Sequence, residues 1–134
     1  MEVGIMINVI KSAYIFFNKI KVVHSIQGRL RLNVPGLNKV PEDMKKYEHY
    51  ITDIIKMSSG IKEVEYSYIT SKLLIIYDSK ITNEKKIIDW LDLMWKTIMD
   101  NQILYENMSQ KEIEENAEKF YEILHNKMKY MILK

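Results

Sequence analysis

The chain has 134 residues, of which 47% are hydrophobic, enough for one packed domain and too apolar for a disordered tail. Lys and Arg number 20 against 18 Asp and Glu, a formal charge of +2, so the strong basic excess of a general nucleic-acid binder is missing. No cysteine is present, which excludes disulfides, thiolate metal sites, iron–sulfur ligation and a cysteine nucleophile, and fits a cytoplasmic protein.

Met6, Val9, Ile10, Ala13, Phe17 and Ile20 recur at helical spacing, which predicts an amphipathic helix over 3–19. The alternation of Val3, Ile5, Ile7 and Val9 leaves a short strand open at its start. Asn8, Lys11 and Ser12 break the apolar stretch, so a transmembrane helix is not expected. The basic start and small-residue cleavage site of a secretory signal are also missing.

In Val22–Val34, Gly28, Leu30, Leu32 and Val34 alternate with Arg29, Arg31 and Asn33. A period of two predicts a half-buried strand, ended by Pro35-Gly36. Pro41, Glu42 and Asp43 suit a helix start. Met44, Tyr47, Ile51, Ile54 and Ile55 form one face of a helix over 41–58, with Gly60 as its stop.

Val64, Tyr66 and Tyr68 alternate with Glu63, Glu65 and Ser67, a second strand, and Thr70-Ser71 turns the chain. Leu73–Tyr77 is apolar on both faces, the mark of a central strand covered on both sides. Thr82 or Asn83 caps a helix running to about Leu104, with a stripe of Ile87, Ile88, Leu91, Met94, Trp95 and Ile98. Trp90 falls off that stripe and is expected to be more exposed. Ser109 and Glu112 make a capping box for a last helix over 110–131, with Ile113, Ala117, Phe120, Tyr121, Leu124, Met128 and Met131 on its stripe.

Strand, helix, strand, strand, helix is the ferredoxin-like order without its fourth strand, so the fold class is α+β. One domain over 1–134 is expected: an N-terminal amphipathic helix (1–21), the core (22–105) and a long C-terminal helix (106–134). One terminal helix is expected to cover the sheet face that such a core leaves open.

His24-Ser25-Ile26-Gln27-Gly28-Arg29-Leu30-Arg31-Leu32, followed by Val34-Pro35-Gly36-Leu37, resembles the opening of the cysteine-free heavy-metal-associated domains. Gly60-Ile61-Lys62-Glu63-Val64 and Leu73–Asp78 continue the resemblance in order, over roughly 22–100. Metal-carrying relatives place C-x-x-C in the loop after the first strand. Here that loop is Pro35-Gly36-Leu37-Asn38-Lys39, without thiolate or imidazole, so soft-metal transfer through it is chemically unavailable. The resemblance implies a role in metal homeostasis beside a heavy-metal P-type ATPase, or with an iron-storing compartment, with the chain not itself carrying the metal.

His24, Arg29 and Arg31 are the candidate partner- or anion-binding residues. Arg29 and Arg31 share one strand face and could grip a phosphate, a lipid head group or an acidic patch. They could equally pair with Glu63 or Glu65 across the sheet. His24 as a metal ligand would need partners, and His49 and His125 lie in other elements. Methionines on helical stripes read as core.

No catalytic motif stands out, so neither an enzyme nor a bound cofactor is expected. The expected partner is a protein, with contact to a membrane surface through the N-terminal stripe as one of that helix's three open roles, beside sheet packing and partner docking. The alternative is a structural, self-assembling protein. Strand 22–34, at the sheet edge, and the seam of helix 110–131, interrupted by Lys127, would then build an oligomer.

Overall fold

The computed structural model describes residues 21–34, 37–40, 42–100 and 109–133. The helix expected over 3–19 lies outside the described residues, as does the Pro35-Gly36 stop.

The segment 22–34 is two strands. β1 (Lys21–Ile26) and β2 (Arg29–Asn33) form a hairpin around Gln27-Gly28. Gly28 has φ +89, a conformation that side chains with a Cβ rarely adopt. Its carbonyl accepts the Tyr77 amide at 3.0 Å, which fastens the turn to the next strand. β3 (Ile61–Ser67) and β4 (Lys72–Tyr77) form a second hairpin, turned at 68–71, which includes the predicted Thr70-Ser71 and also Tyr68, expected in the strand. The order is β1-β2-β4-β3, antiparallel throughout.

This corrects two expectations. The fourth strand of the ferredoxin-like sheet is present, and β1 supplies it from the N-terminal side. β2 is therefore an internal strand, and β1 and β3 are the edges.

Pleating then sorts the side chains. Leu30 and Leu32 of β2, with Leu73, Ile75 and Tyr77 of β4, are buried on one face. The helices lie there. A 3-10 helix, Glu42–Tyr47, leads into α1 (Glu48–Ile55), so the first helix is tighter at its start than its sequence predicts. Gly60 does not stop α1, which ends five residues earlier. It sits at φ +94 in the turn into β3, where a Cβ would lie 2.9 Å from Thr82 Cγ2. Glycine is thus required there by both conformation and space.

α2 (Glu84–Asp100) is capped by Asn83, whose Oδ1 accepts the Lys86 amide at 3.0 Å. Ile87, Leu91 and Met94 are buried as expected, and so is Trp90, at 9% exposure. The Trp90 indole Nε1 donates to the Ile54 carbonyl at 3.0 Å, tying α2 to α1. Trp90 is therefore a core residue, and Trp95 packs at the core's margin.

The last helix is broken. α3 (Gln110–Glu115) starts at Ser109, whose Oγ accepts the Glu112 amide at 3.1 Å, as the capping pattern requires. Asn116 interrupts it by donating its side-chain amide to the Glu112 carbonyl at 2.7 Å. α4 (Ala117–Leu133) follows and packs against α1 and α2. Met128 is buried in the common core, and Tyr121 and Leu124 pack on it. Met128, Tyr121 and Leu124 of the stripe thus serve this chain's own core, while Met131 is exposed. α4 joins the helical layer and does not cover the opposite sheet face.

Candidate functional site

The sheet face away from the helices is set by the register. His24 pairs with Arg31 and Ile26 with Arg29. Arg31 in turn pairs with Leu74, and Arg29 with Ile76. Glu65 completes the first row beyond Leu74, and Glu63 the second beyond Ile76. Directly paired residues project to the same side of an antiparallel sheet. The face therefore carries two parallel rows: His24, Arg31, Leu74, Glu65, and Ile26, Arg29, Ile76, Glu63.

The three candidate residues His24, Arg29 and Arg31 lie on this one face, and all are exposed. Leu74 and Ile76 between the charges are half-buried, and Ile26 at the edge is 51% exposed. β4 is thus not sealed on both sides as its apolar sequence predicts. Its inward residues are buried and its outward ones are not.

The expected ion pairs of Arg29 and Arg31 with Glu63 and Glu65 are not formed. β4 stands between their strands, separating the backbones by two strand spacings, about 10 Å. Among the described residues, every ion pair lies elsewhere, on the helices and their flanks. Strand order, which periodicity does not reveal, decides this. The Arg29 and Arg31 guanidinium groups form no ion pair among the described residues.

The next row, in which Asn33 pairs with Lys72, is different. Lys72 donates to Asn33 Oδ1 at 2.9 Å and to the Thr70 carbonyl at 3.0 Å, which closes that end of the face with polar contacts made within the chain.

His49 and His125 stand on the helical side. His49 packs at a tilt against Tyr50 with centroids 4.1 Å apart, Tyr50 against Tyr121 at 4.7 Å, and Tyr121 against His125 at 5.6 Å. This chain of rings joins α1 to α4. His49 Nδ1 lies 3.1 Å from the Lys46 carbonyl, to which it donates. Sequence reading missed the cluster, whose only signal is four aromatic or imidazole residues at 49–50 and 121–125. Nearby, the Tyr66 hydroxyl lies 2.9 Å from Thr52 Oγ1, and burial raises its pKa to about 12. Burial, then its bond to Glu48 Oε2 at 2.9 Å, pushes Tyr68 above the ordinary tyrosine range too. Both phenols stay protonated and structural at neutral pH.

The donor set does not fit a soft metal. Cysteine is absent, and among the described residues no three His, Asp or Glu side chains converge on a common point. His24 is on the opposite side of the sheet from His49 and His125. Met94 and Met128 are packed in the core. Titration of the purified chain with copper(I) or zinc against a competing chelator should therefore reveal no site in the nanomolar range. Tighter binding would return His24 and the methionines to consideration. Among the described residues, no helix is long and apolar enough to cross a membrane.

Compared with known proteins, residues 11–134 match the profile of a family described as Heavy metal associated domain 2. No curated protein and no solved structure matches.

Proposed function

The chain belongs to the Heavy metal associated domain 2 family, and from that membership we propose that it is a non-enzymatic interaction domain of metal homeostasis. It acts beside a heavy-metal P-type ATPase or a metal-storing compartment, iron included, and does not carry the metal. The family match over 11–134 supports the metal-related part of the reading. A chain without cysteine supports the rest: a member lacking thiolates contributes by contact rather than by ligand exchange.

The contact surface is the open face with His24, Arg29 and Arg31. It offers guanidinium groups without a partner among the described residues, beside half-buried Leu74 and Ile76, the mixture that protein interfaces favour. The test uses cells that encode the chain. A tagged copy should retain a metal-transporting ATPase from detergent-solubilised membranes, and deletion should change the cell's content of at least one transition metal. The reading fails if no such ATPase is retained and metal content is unchanged under both starvation and excess.

A further inference from the structure

The two rows on the open face have a polarity that a single chain does not use. Positive charge stands on β2, apolar side chains on β4 and negative charge on β3. Arg31 and Glu65 flank Leu74, and Arg29 and Glu63 flank Ile76. All four charged residues are exposed, and none forms an ion pair among the described residues.

We propose that this face is the self-recognition surface of a two-fold dimer, in which the open sheets of two copies pack against each other with the symmetry axis running along β4. The geometry follows from the register. A two-fold rotation about an axis parallel to β4, midway between the sheets, exchanges the two sides of β4 and preserves position along the strand. Arg31 of one copy then stands over Glu65 of the other, and Arg29 over Glu63, each contact occurring twice. Leu74 and Ile76 meet their own counterparts at the centre. An axis perpendicular to the strands would instead set arginine over arginine and glutamate over glutamate. Between these two stackings, charge therefore selects the first.

Lys72 also lies on β4 and would face its own copy, but it is turned aside onto Asn33 and Thr70 at the rim. Sheets stacked face to face sit about 10 Å apart, a gap that opposed Arg and Glu side chains can bridge. The paired core of the face, three to four strands wide and five to six residues long, measures about 15 by 18 Å. That is small beside the roughly 800 Å² per partner of a standard interface, so weak, transient association is expected. It should weaken as salt rises.

The second copy is preferred to other occupants because the face is complementary to itself. An acidic partner would match β2 and be repelled by β3, and a basic one the reverse. This inference competes for the contact surface proposed above, since a face holding a second copy is open to a partner only when the copies separate, but it does not rest on the role in metal homeostasis: the dimer is tested on the purified chain, without metal or ATPase.

The test is charge reversal on the full-length chain, read by sedimentation velocity from micromolar to hundreds of micromolar concentrations. The double variants Arg29→Glu with Arg31→Glu, and Glu63→Arg with Glu65→Arg, should each weaken self-association by roughly tenfold or more. Mixed in equal amounts, they should recover a dimer, because every contact is again between opposite charges. Circular dichroism confirms that each variant is folded. Leu74→Cys supplies the sole thiol of an otherwise cysteine-free chain and should be crosslinked between copies by a short bis-maleimide. Asn126→Cys, on the helical side, should not. A full chain that stays monomeric throughout overturns the proposal and leaves the face to residues 1–20 or to another protein. A dimer that neither reversal weakens, or one in which Asn126→Cys crosslinks and Leu74→Cys does not, overturns it as well.

Discussion

Leu30→Asp is expected to unfold the domain, whereas Arg29→Ala, one residue away, should leave its thermal midpoint almost unchanged. Leu30 is fully buried, at 0% exposure, on the internal strand β2 and faces the helical layer. A carboxylate there finds no cation and no solvent. Losing the leucine contacts and burying an unpaired charge together cost about 5 kcal/mol or more, comparable to the whole stability of a domain this size. Arg29 is exposed and makes no ion pair among the described residues, so its removal is worth about 0.5 kcal/mol or less. Urea unfolding followed by circular dichroism decides the matter. Equal destabilisation by both changes would mean that the two faces of β2 are exchanged.

The second large effect concerns the C-terminal helix. Met128→Ala should destabilise the chain by about 2–4 kcal/mol, because Met128 is 0% exposed among residues of the sheet and of α1 and α2. Tyr130→Ala, two residues on and 67% exposed, should change stability by less than about 0.5 kcal/mol. The same packing predicts that a chain cut after residue 108 loses cooperative unfolding instead of becoming a smaller stable domain. A truncated chain that melts as sharply and as late as the whole would show that α4 is an appendage.

How far these features could be read from the sequence depends on how local their causes are. The inward set of Leu30, Leu32 and Val34, the caps at Asn83 and Ser109, and the turn at Thr70-Ser71 follow from periods and short-range hydrogen bonding, and the structure has them. The hairpin inside 22–34 was missed because two apolar-polar alternations, joined by a two-residue turn, look like one. Gln27-Gly28 is the only sign of the reversal. Trp90 stands three residues after Ile87 and so borders the buried stripe. The Ile54 carbonyl that receives its indole is 36 positions away and invisible locally.

The candidate site divides in the same way. That Arg29 and Arg31 share a side is a property of one strand and is legible. That Glu63 and Glu65 stand two strands away, with Leu74 and Ile76 between, depends on β4 entering between the strands, a fact of topology. The ring cluster of His49, Tyr50, Tyr121 and His125 joins elements some seventy residues apart and leaves no periodic trace.

The placement of β1 also bears on how the chain finds its fold. A ferredoxin-like sheet ordinarily receives this edge strand from the far end of the domain, after the second helix. Here it arrives through a two-residue turn, so the β1–β2 ladder, from Ile26 with Arg29 to Lys21 with Asn33, joins near neighbours in sequence. The β3–β4 ladder is local in the same sense. Only the joining of β2 to β4, from Asn33 with Lys72 to Arg29 with Ile76, must close a long loop. Each hairpin can form by itself within about 1–10 μs, leaving the docking of the two ribbons as the one strand pairing among the described residues that closes a long loop.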